Sequence, residues 1–252
     1  MRRLWAGLLA SSAMGVINPV AAAAELPSWT GFYLGGHGGL RWADADFSSD
    51  PFTFMRAGNR RFNIPGGTDQ IDPAGAIFGL HGGYNHQINT NWLIGLEADI
   101  SWGKHDQSTR LLANDGLTTL SRTATLEIGW QASVRARVGW IAGPFLFYGT
   151  GGVAFSHADW NETWIFVSGV GSLALPPPVN ISKALTGWTA GFGVDHLYPT
   201  GWLIRAEYIY TDYGDFTVPV GFTRPTLPRT TFGEISIATH VVRFGASYKF
   251  GP

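Results

Sequence analysis

A strict two-residue alternation of apolar and polar side chains constrains this chain more than any other feature. In residues 126–140 every even position is apolar, from Leu126 to Trp140, whereas the odd positions hold Gly, Ser, Gln, Glu or Arg. A helix would scatter the charged side chains around its axis, but a strand places them all on one face. The segment therefore predicts a β-strand with one apolar and one polar face.

The same alternation recurs along the chain and predicts an all-β fold of eight strands. The seven further candidate strands are residues 32–42, 76–84, 92–102, 145–155, 188–194, 202–210 and 242–250. Glycine, with 34 residues, is abundant and is a poor helix former, which also argues against a helical bundle.

The composition of the two faces indicates which one meets lipid. The polar face mixes Gly and Ser with charges of both signs, whereas the apolar face is bulky and carries aromatic residues at segment ends, as at membrane interfaces. We therefore expect an eight-stranded antiparallel up-and-down transmembrane β-barrel. A soluble sandwich or lipocalin-like barrel is the alternative, because alternation alone does not fix the inward face. The predicted interface aromatics are Trp92, Trp102, Trp130, Trp140, Trp202, Tyr208 and Tyr210.

Short and long connections alternate between the predicted strands. The short ones are residues 88–91, 142–144 and 197–201, and the long ones are residues 43–73, 103–122, 157–185 and 212–236. Outer-membrane barrels have short periplasmic turns and long extracellular loops. The order therefore predicts four extracellular loops and two periplasmic termini.

The polar face predicts a plugged lumen. Eight strands enclose a space that side chains fill, and buried charges need partners. A narrow ion path through the plug is the alternative. The predicted lumen charge network is Arg41, Glu97, Asp99, Glu127, Arg135, Arg137, Asp195, Arg205, Glu207, Arg243 and Lys249.

The N-terminus predicts export. Arg2 and Arg3 precede an apolar run over residues 4–17, and four alanines end at Ala24. This is the pattern of a signal peptide over residues 1–24, which leaves residues 25–252 as the exported barrel domain. A membrane anchor helix is the alternative, but the run is shorter than the ~20 residues that a helix needs to cross a bilayer.

Several short motifs resemble the small outer-membrane β-barrel proteins of alphaproteobacteria, the porin-family or surface-antigen barrels related in architecture to the membrane domain of OmpA. Residues 29–36 read WTGFYLGG, which resembles the opening motif of that family, and residues 187–195 and 202–213 resemble two of its strands, as do residues 144–154. At the C-terminus Gly245, Tyr248 and Phe250 are similar to its assembly signal, although Gly251 and Pro252 follow the aromatic that usually ends the family. The resemblance implies the outer membrane as location, with lipids, lipopolysaccharide and the assembly machinery as partners.

No catalytic, cofactor or metal site is predicted. The chain has no cysteine, which excludes disulfides, zinc-thiolate sites and thiol nucleophiles. Its net charge of −1 lacks the positive excess typical of proteins that bind nucleic acid. His105 and Asp106 are adjacent, but no nucleophile shares a recognisable spacing with them, so we expect no enzyme.

We expect a structural or surface-interaction role in the Gram-negative envelope. One alternative is a narrow porin-like channel for ions or small solutes. Another is a surface binder of haem, lipopolysaccharide or a host molecule through the loops, for which the candidate residues are Arg56, Arg60, Arg61, Trp160 and Trp164.

Overall fold

The computed structural model describes residues 28–56, 60–64, 66–103, 105–114, 118–168, 171–174, 179–219 and 232–251. Within these ranges no helix is long and apolar enough to cross a membrane. The strands of the described part are β1 Gly31–Ser49, β2 Phe52–Arg56, β3 Arg60–Ile64, β4 Gly67–Ile71, β5 Ala74–Gln87, β6 Trp92–Trp102, β7 His105–Asn114, β8 Thr118–Ala142, β9 Phe145–Ser168, β10 Gly171–Ala174, β11 Val179–Leu197, β12 Trp202–Pro219 and β13 Phe232–Phe250.

Eight long strands close into a ring. Around the ring the order is β1, β5, β6, β8, β9, β11, β12 and β13, and each adjacent pair is antiparallel. The ring closes because β13 pairs with β1 from Phe32↔Phe250 to Ser49↔Gly233. A closed ring leaves none of these strands with an open edge. The predicted eight-stranded antiparallel up-and-down barrel is confirmed.

The two ends of the barrel differ in their connections. Residues 88–91, 143–144 and 198–201 connect strands tightly at one end, where the start of β1 and the end of β13 also lie. We call this the turn end. We call the opposite end the extended end. There the strands continue well beyond the predicted barrel wall, and β8 and β9 remain paired as far as Thr118↔Ser168.

Much of the chain predicted as long loops is strand. In residues 43–73 β1 continues to Ser49, and β2, β3 and β4 follow; β7 and the start of β8 lie in residues 103–122. The ends of β9 and β12, the starts of β11 and β13, and β10 lie in residues 157–185 and 212–236. Pairing satisfies backbone N–H and C=O groups that loops would leave to water, and these extensions keep an alternating pattern.

A bulge in β8 exchanges its inward and outward faces. The β8–β9 register shifts between Ile128 and Gln131. On the turn side of the shift Val134 is 50% exposed on the outward face, whereas on the other side Leu126 and Ile128 are buried inside. One extra residue in a strand moves every following side chain to the other face. The expectation that the even positions of residues 126–140 share one outward face is therefore wrong for Leu126 and Ile128.

The interior is built in three layers along the strands. A small apolar layer lies near the turn end, a charged layer follows, and a larger apolar layer fills the extended end. The turn-end layer is Trp29, Tyr33, Leu93, Ile141, Leu146, Tyr148, Leu197 and Leu203. The extended-end layer is Ala43, Ala45, Phe47, Ala124, Leu126, Ile128, Ala154, Ala158, Trp160, Leu185, Tyr213, Phe216, Val218, Ile235 and Ile237.

Some expectations concern residues that the structure does not describe. The signal peptide over residues 1–24 and Pro252 lie outside the described ranges. The side chains of Arg56, Arg60 and Arg61 also lie outside them.

Candidate functional site: the lumen charge network

Five of the eight strands in the ring supply the charged layer of the lumen. β6 contributes Glu97 and Asp99, two residues apart, because a strand directs alternate side chains to the same face. For the same reason β8 contributes two arginines, and β12 contributes an arginine and a glutamate, each pair two residues apart. The members on β8, β11, β12 and β13 are Arg135, Arg137, Asp195, Arg205, Glu207 and Arg243.

Arg135 forms the centre of the network. Its Nη2 atom donates to Glu97 Oε1 at 2.6 Å and to Asp99 Oδ1 at 3.0 Å. Its Nη1 atom donates to Glu207 Oε1 at 3.0 Å. One guanidinium group thus connects carboxylates from two strands on opposite sides of β8 in the ring. Such charge-assisted hydrogen bonds fix direction as well as distance.

Asp195 accepts hydrogen bonds from two arginines. Arg205 donates to it through Nε at 3.0 Å and Nη2 at 3.1 Å, which is a bidentate contact. Arg137 Nη2 donates to the same carboxylate at 2.8 Å. The Arg137 guanidinium also lies 3.9 Å from the ring centre of Tyr148, a cation–π contact.

Tyr33 connects Glu97 to Arg137 within the network. Its hydroxyl donates to Glu97 Oε2 at 2.7 Å and accepts from Arg137 Nη1 at 2.9 Å. The ring lies over Gly83, where a Cβ atom would approach the Tyr33 hydroxyl to 2.5 Å. Glycine at this position of the neighbouring strand therefore makes room for the inward ring.

Arg243 completes the network beside a histidine pair. Its Nε atom donates to Glu207 Oε2 at 2.8 Å. The Nδ1 atoms of His37 and His81 lie 3.2 Å apart. His37 Nε2 lies 2.8 Å from Ser101 Oγ, and His81 Nε2 lies 2.6 Å from the hydroxyl of Ser247. The imidazoles thus fill the lumen between the network and the wall.

The network is balanced in formal charge. Among the described residues it joins four guanidinium groups to four carboxylates, and all eight side chains are at most 6% exposed. An uncompensated charge at such burial costs several kcal/mol of stability, so each charge depends on the others. The lumen at this level is a packed layer of ion pairs.

The other three predicted network residues lie elsewhere. Arg41 is buried nearer the extended end, where its Nη2 atom donates to the carbonyl oxygens of Gly103, Ile128 and Gly129 at 2.9–3.0 Å, next to the bulge. Lys249 lies at the turn end and donates to the carbonyl oxygen of Gly251 at 3.3 Å. Glu127 lies past the bulge on the outward face between buried Leu126 and Ile128, so its assignment to the lumen is wrong.

The predicted interface aromatics and the two aromatic residues of the assembly signal lie on the outer surface. Trp92, Trp140 and Trp202 are about half exposed near the turn end, and Trp102 and Trp130 are exposed toward the other end. Tyr208 and Tyr210 are partly exposed on β12. Tyr248 and Phe250 face outward on β13, whereas Gly245 lies behind His37 and His81.

Sequence reasoning missed a second buried ion pair at the extended end. Arg122 Nε donates to Glu162 Oε1 at 3.1 Å, and the Arg122 guanidinium lies 4.6 Å from the ring centre of Phe47. Trp160 and Trp164, expected in an exposed ligand-binding loop, are 1% and 3% exposed beside this pair. The signal was a lone Arg in the apolar series Leu120, Arg122, Ala124.

The described residues contain no group of three or more His, Cys, Asp or Glu side chains that could hold a metal ion. Fold and lumen together define a class of protein: a β-barrel with an apolar outer wall and an ion-paired interior. The inverted pattern suits a barrel surrounded by lipid.

Comparison with known proteins gives the family. Residues 6–250 match the outer membrane protein beta-barrel domain, and the chain belongs to this family. The protein is therefore an outer-membrane β-barrel protein, as the sequence motifs predicted.

Two relatives and one solved structure illustrate the likeness. The 31 kDa outer-membrane immunogenic protein of Brucella melitensis biotype 1 is 30% identical over 254 residues, covering 97% of this chain and 96% of the relative. The 22 kDa outer membrane protein of Rhizobium leguminosarum bv. viciae is 30% identical over 186 residues, covering 74% and 65%. The crystal structure of OprG from Pseudomonas aeruginosa matches with a TM-score of 0.45 at 14% identity, covering 88% of this chain and 97% of that one.

Proposed function

We propose that this protein is a non-conducting barrel with a structural and surface-interaction role in the outer membrane. The observation that carries the proposal is the layered interior. The ion-paired layer lies between the turn-end and extended-end apolar layers, and every charge in it has a buried partner of opposite sign.

Ion passage through this interior would require three separate barriers to open. Both apolar layers present mainly hydrocarbon side chains to a hydrated ion, and desolvating an ion costs far more than thermal energy. Each charge in the middle layer already has a partner of opposite sign. These features argue against the narrow porin-like channel that the sequence left as an alternative.

The extended end is the part of the barrel that we propose faces the outside. Short turns face the periplasm in outer-membrane barrels, which assigns the turn end to that side. Past the bulge, strands such as β1 have an apolar interior with Asp44 and Asp46 exposed, the pattern of a water-exposed barrel. The relative from Brucella melitensis biotype 1 is named immunogenic, which supports surface exposure here.

The proposal includes no catalytic activity and no cofactor. Its partners are outer-membrane lipids, lipopolysaccharide, the assembly machinery that reads the C-terminal strand and, outside the cell, a host molecule. A flat ligand held by Trp160 and Trp164 is not part of it, because both indoles are buried.

Conductance tests the closed lumen. Protein refolded in detergent, with a folded barrel shown by heat-modifiable gel migration, is inserted into planar bilayers. We expect no steady openings. Stable ohmic steps from protein that migrates as folded would overturn the proposal.

Surface labelling tests the orientation. Because the chain has no cysteine, Asp46→Cys and Thr90→Cys each introduce a single thiol, one at the extended end and one in a tight turn. On intact cells a membrane-impermeant maleimide is expected to label only Asp46→Cys, and permeabilised cells are expected to show both. Labelling of Thr90→Cys alone on intact cells would reverse the orientation.

A further inference from the structure

An aromatic and acidic cluster lies on the outward face where the barrel enters its extended end. Trp42 on β1 pairs in register with His240 on β13, which pairs with Tyr210 on β12. Tyr208 lies on β12, two residues from Tyr210 toward the turn end. Asp44 lies on β1, two residues from Trp42 toward the extended end. We call these five residues the boundary cluster.

A chain of hydrogen bonds fixes the boundary cluster across three strands. The Tyr208 hydroxyl lies 2.7 Å from His240 Nδ1, and His240 Nε2 lies 3.1 Å from Asp44 Oδ2. A tyrosine hydroxyl that donates to Nδ1 leaves the ring proton on Nε2, which donates to the carboxylate. The Trp42 ring lies parallel to the imidazole at 5.4 Å between centres, and Tyr210 meets it edge-on at 5.1 Å.

The position of the boundary cluster coincides with a change in the outward surface. On the turn side, Leu40 is 60% exposed and Val242 is 37% exposed, as expected of a lipid-facing wall. On the other side the exposed positions of β1 become Asp44 and Asp46. Residues 32–42 of β1 are about as many as a tilted strand needs to cross a bilayer. The boundary cluster therefore lies at the level of the lipid head groups.

A small side chain lies beside the rings, between two carboxylates. Ala238 pairs with Asp44 on one side and with Asp212 on the other, so two carboxylates flank a methyl group. The Asp44 side chain is 61% exposed and the His240 side chain 20% exposed. This part of the outward surface thus combines aromatic rings, carboxylate oxygens and a small alanine side chain.

We propose that the boundary cluster binds the neutral sugar head of a glycolipid in the outer leaflet. Aromatic rings pack against the C–H faces of pyranose rings, and carboxylates accept hydrogen bonds from sugar hydroxyls. A phosphate head would face repulsion from Asp44, Asp46 and Asp212, which disfavours a phospholipid. This inference goes beyond the proposed function and does not depend on whether the lumen conducts.

Native mass spectrometry of protein released from nanodiscs tests the inference. The nanodiscs contain equal amounts of phosphatidylglycerol and diglucosyldiacylglycerol. We expect the wild-type protein to retain the glycolipid in preference. Loss of an aromatic contact worth about 1 kcal/mol in Trp42→Ala should lower that preference about fivefold. Asp44→Asn, at an exposed side chain that leaves folding intact, should lower it as well.

Trp202→Ala is the matched control, because it removes a half-exposed indole at the turn end. This control should retain glycolipid like the wild type. Retention of both lipids in the nanodisc ratio by the wild type, or an equal loss in Trp202→Ala and Trp42→Ala, would overturn the inference. Displacement of the glycolipid by dissolved maltose at equal concentration would overturn it in favour of a soluble oligosaccharide. A conducting but glycolipid-selective protein would refute only the proposed function.

Discussion

Replacing Glu97 by Gln removes one negative charge from the centre of the balanced lumen network. The Glu97 carboxylate contacts Arg135 at 2.6 Å, lies 3.4 Å from Arg243 and accepts a hydrogen bond from Tyr33. Its side chain is 1% exposed. The change leaves four guanidinium groups against three carboxylates, all of them at most 6% exposed. Breaking a buried pair in this way costs about 3–5 kcal/mol.

The matched control is Glu234→Gln, the same substitution at an exposed glutamate near the start of β13. An exposed surface substitution changes stability by about 0.5 kcal/mol or less. The free energy of unfolding is measured by guanidinium titration of the refolded barrel in lipid vesicles, followed by tryptophan fluorescence. The double variant Glu97→Gln/Arg135→Gln restores charge balance and should recover part of the loss. Equal effects of the two single substitutions would refute the ion-paired plug.

Three further substitutions test other parts of the structure. Val134→Arg puts a charge on the lipid face and should cost about 2–4 kcal/mol of unfolding free energy near the midplane, whereas Val134→Leu keeps that face apolar and should be close to neutral; equal tolerance of both in vesicle-inserted protein would contradict the face assignment. Trp160→Ala should lower the unfolding free energy by about 3–5 kcal/mol, measured by the same titration, and a neutral result would mean that the indole is not in the core. Gly152→Ala should fail to fold on heat-modifiable gels, because its Cβ would lie 2.0 Å from the Val134 carbonyl oxygen, while Gly129→Ala, with nothing within 4 Å of its Cβ, should migrate as folded.

The two-residue period predicted the barrel because lipid and lumen impose opposite demands on alternate side chains. Along β6 and β13 the outward apolar residues and inward charges follow directly from the sequence. Glu97 and Arg243, for example, were assigned to the lumen from their positions alone, and both lie in the network.

The inversion in β8 could not be predicted because two changes cancel in the sequence. From Trp130 to Trp140 even positions are apolar since they face lipid, whereas Leu126 and Ile128 are apolar since they fill the extended-end core. The bulge between these stretches moves the even positions inside just where the interior becomes apolar. The alternation therefore continues without a break, and Glu127 was assigned to the wrong face.

In β1 the same change of environment occurs without a bulge. The apolar residues move from even positions, ending at Trp42, to the odd positions Ala43, Ala45 and Phe47. Here the switch is readable in the sequence, although the long loop predicted for residues 43–73 begins at the same point. Strand extensions with an apolar interior were not expected in a barrel whose membrane part has a charged interior.

Single-cysteine scanning of β8 tests the central claim most directly, because the chain has no native cysteine to give background. A spin label is placed in turn at each position of residues 120–138 in vesicle-inserted protein, and its collision rate with lipid-dissolved oxygen is measured. High rates are predicted at Val134, Ala136 and Val138 and low rates at the positions between them, with labels at Leu126 and Ile128 as inaccessible as those at Arg135. An unbroken even-position pattern through Leu126 would contradict the bulge. High oxygen access at Arg135 with low access at Val134 would contradict the assignment of the two faces.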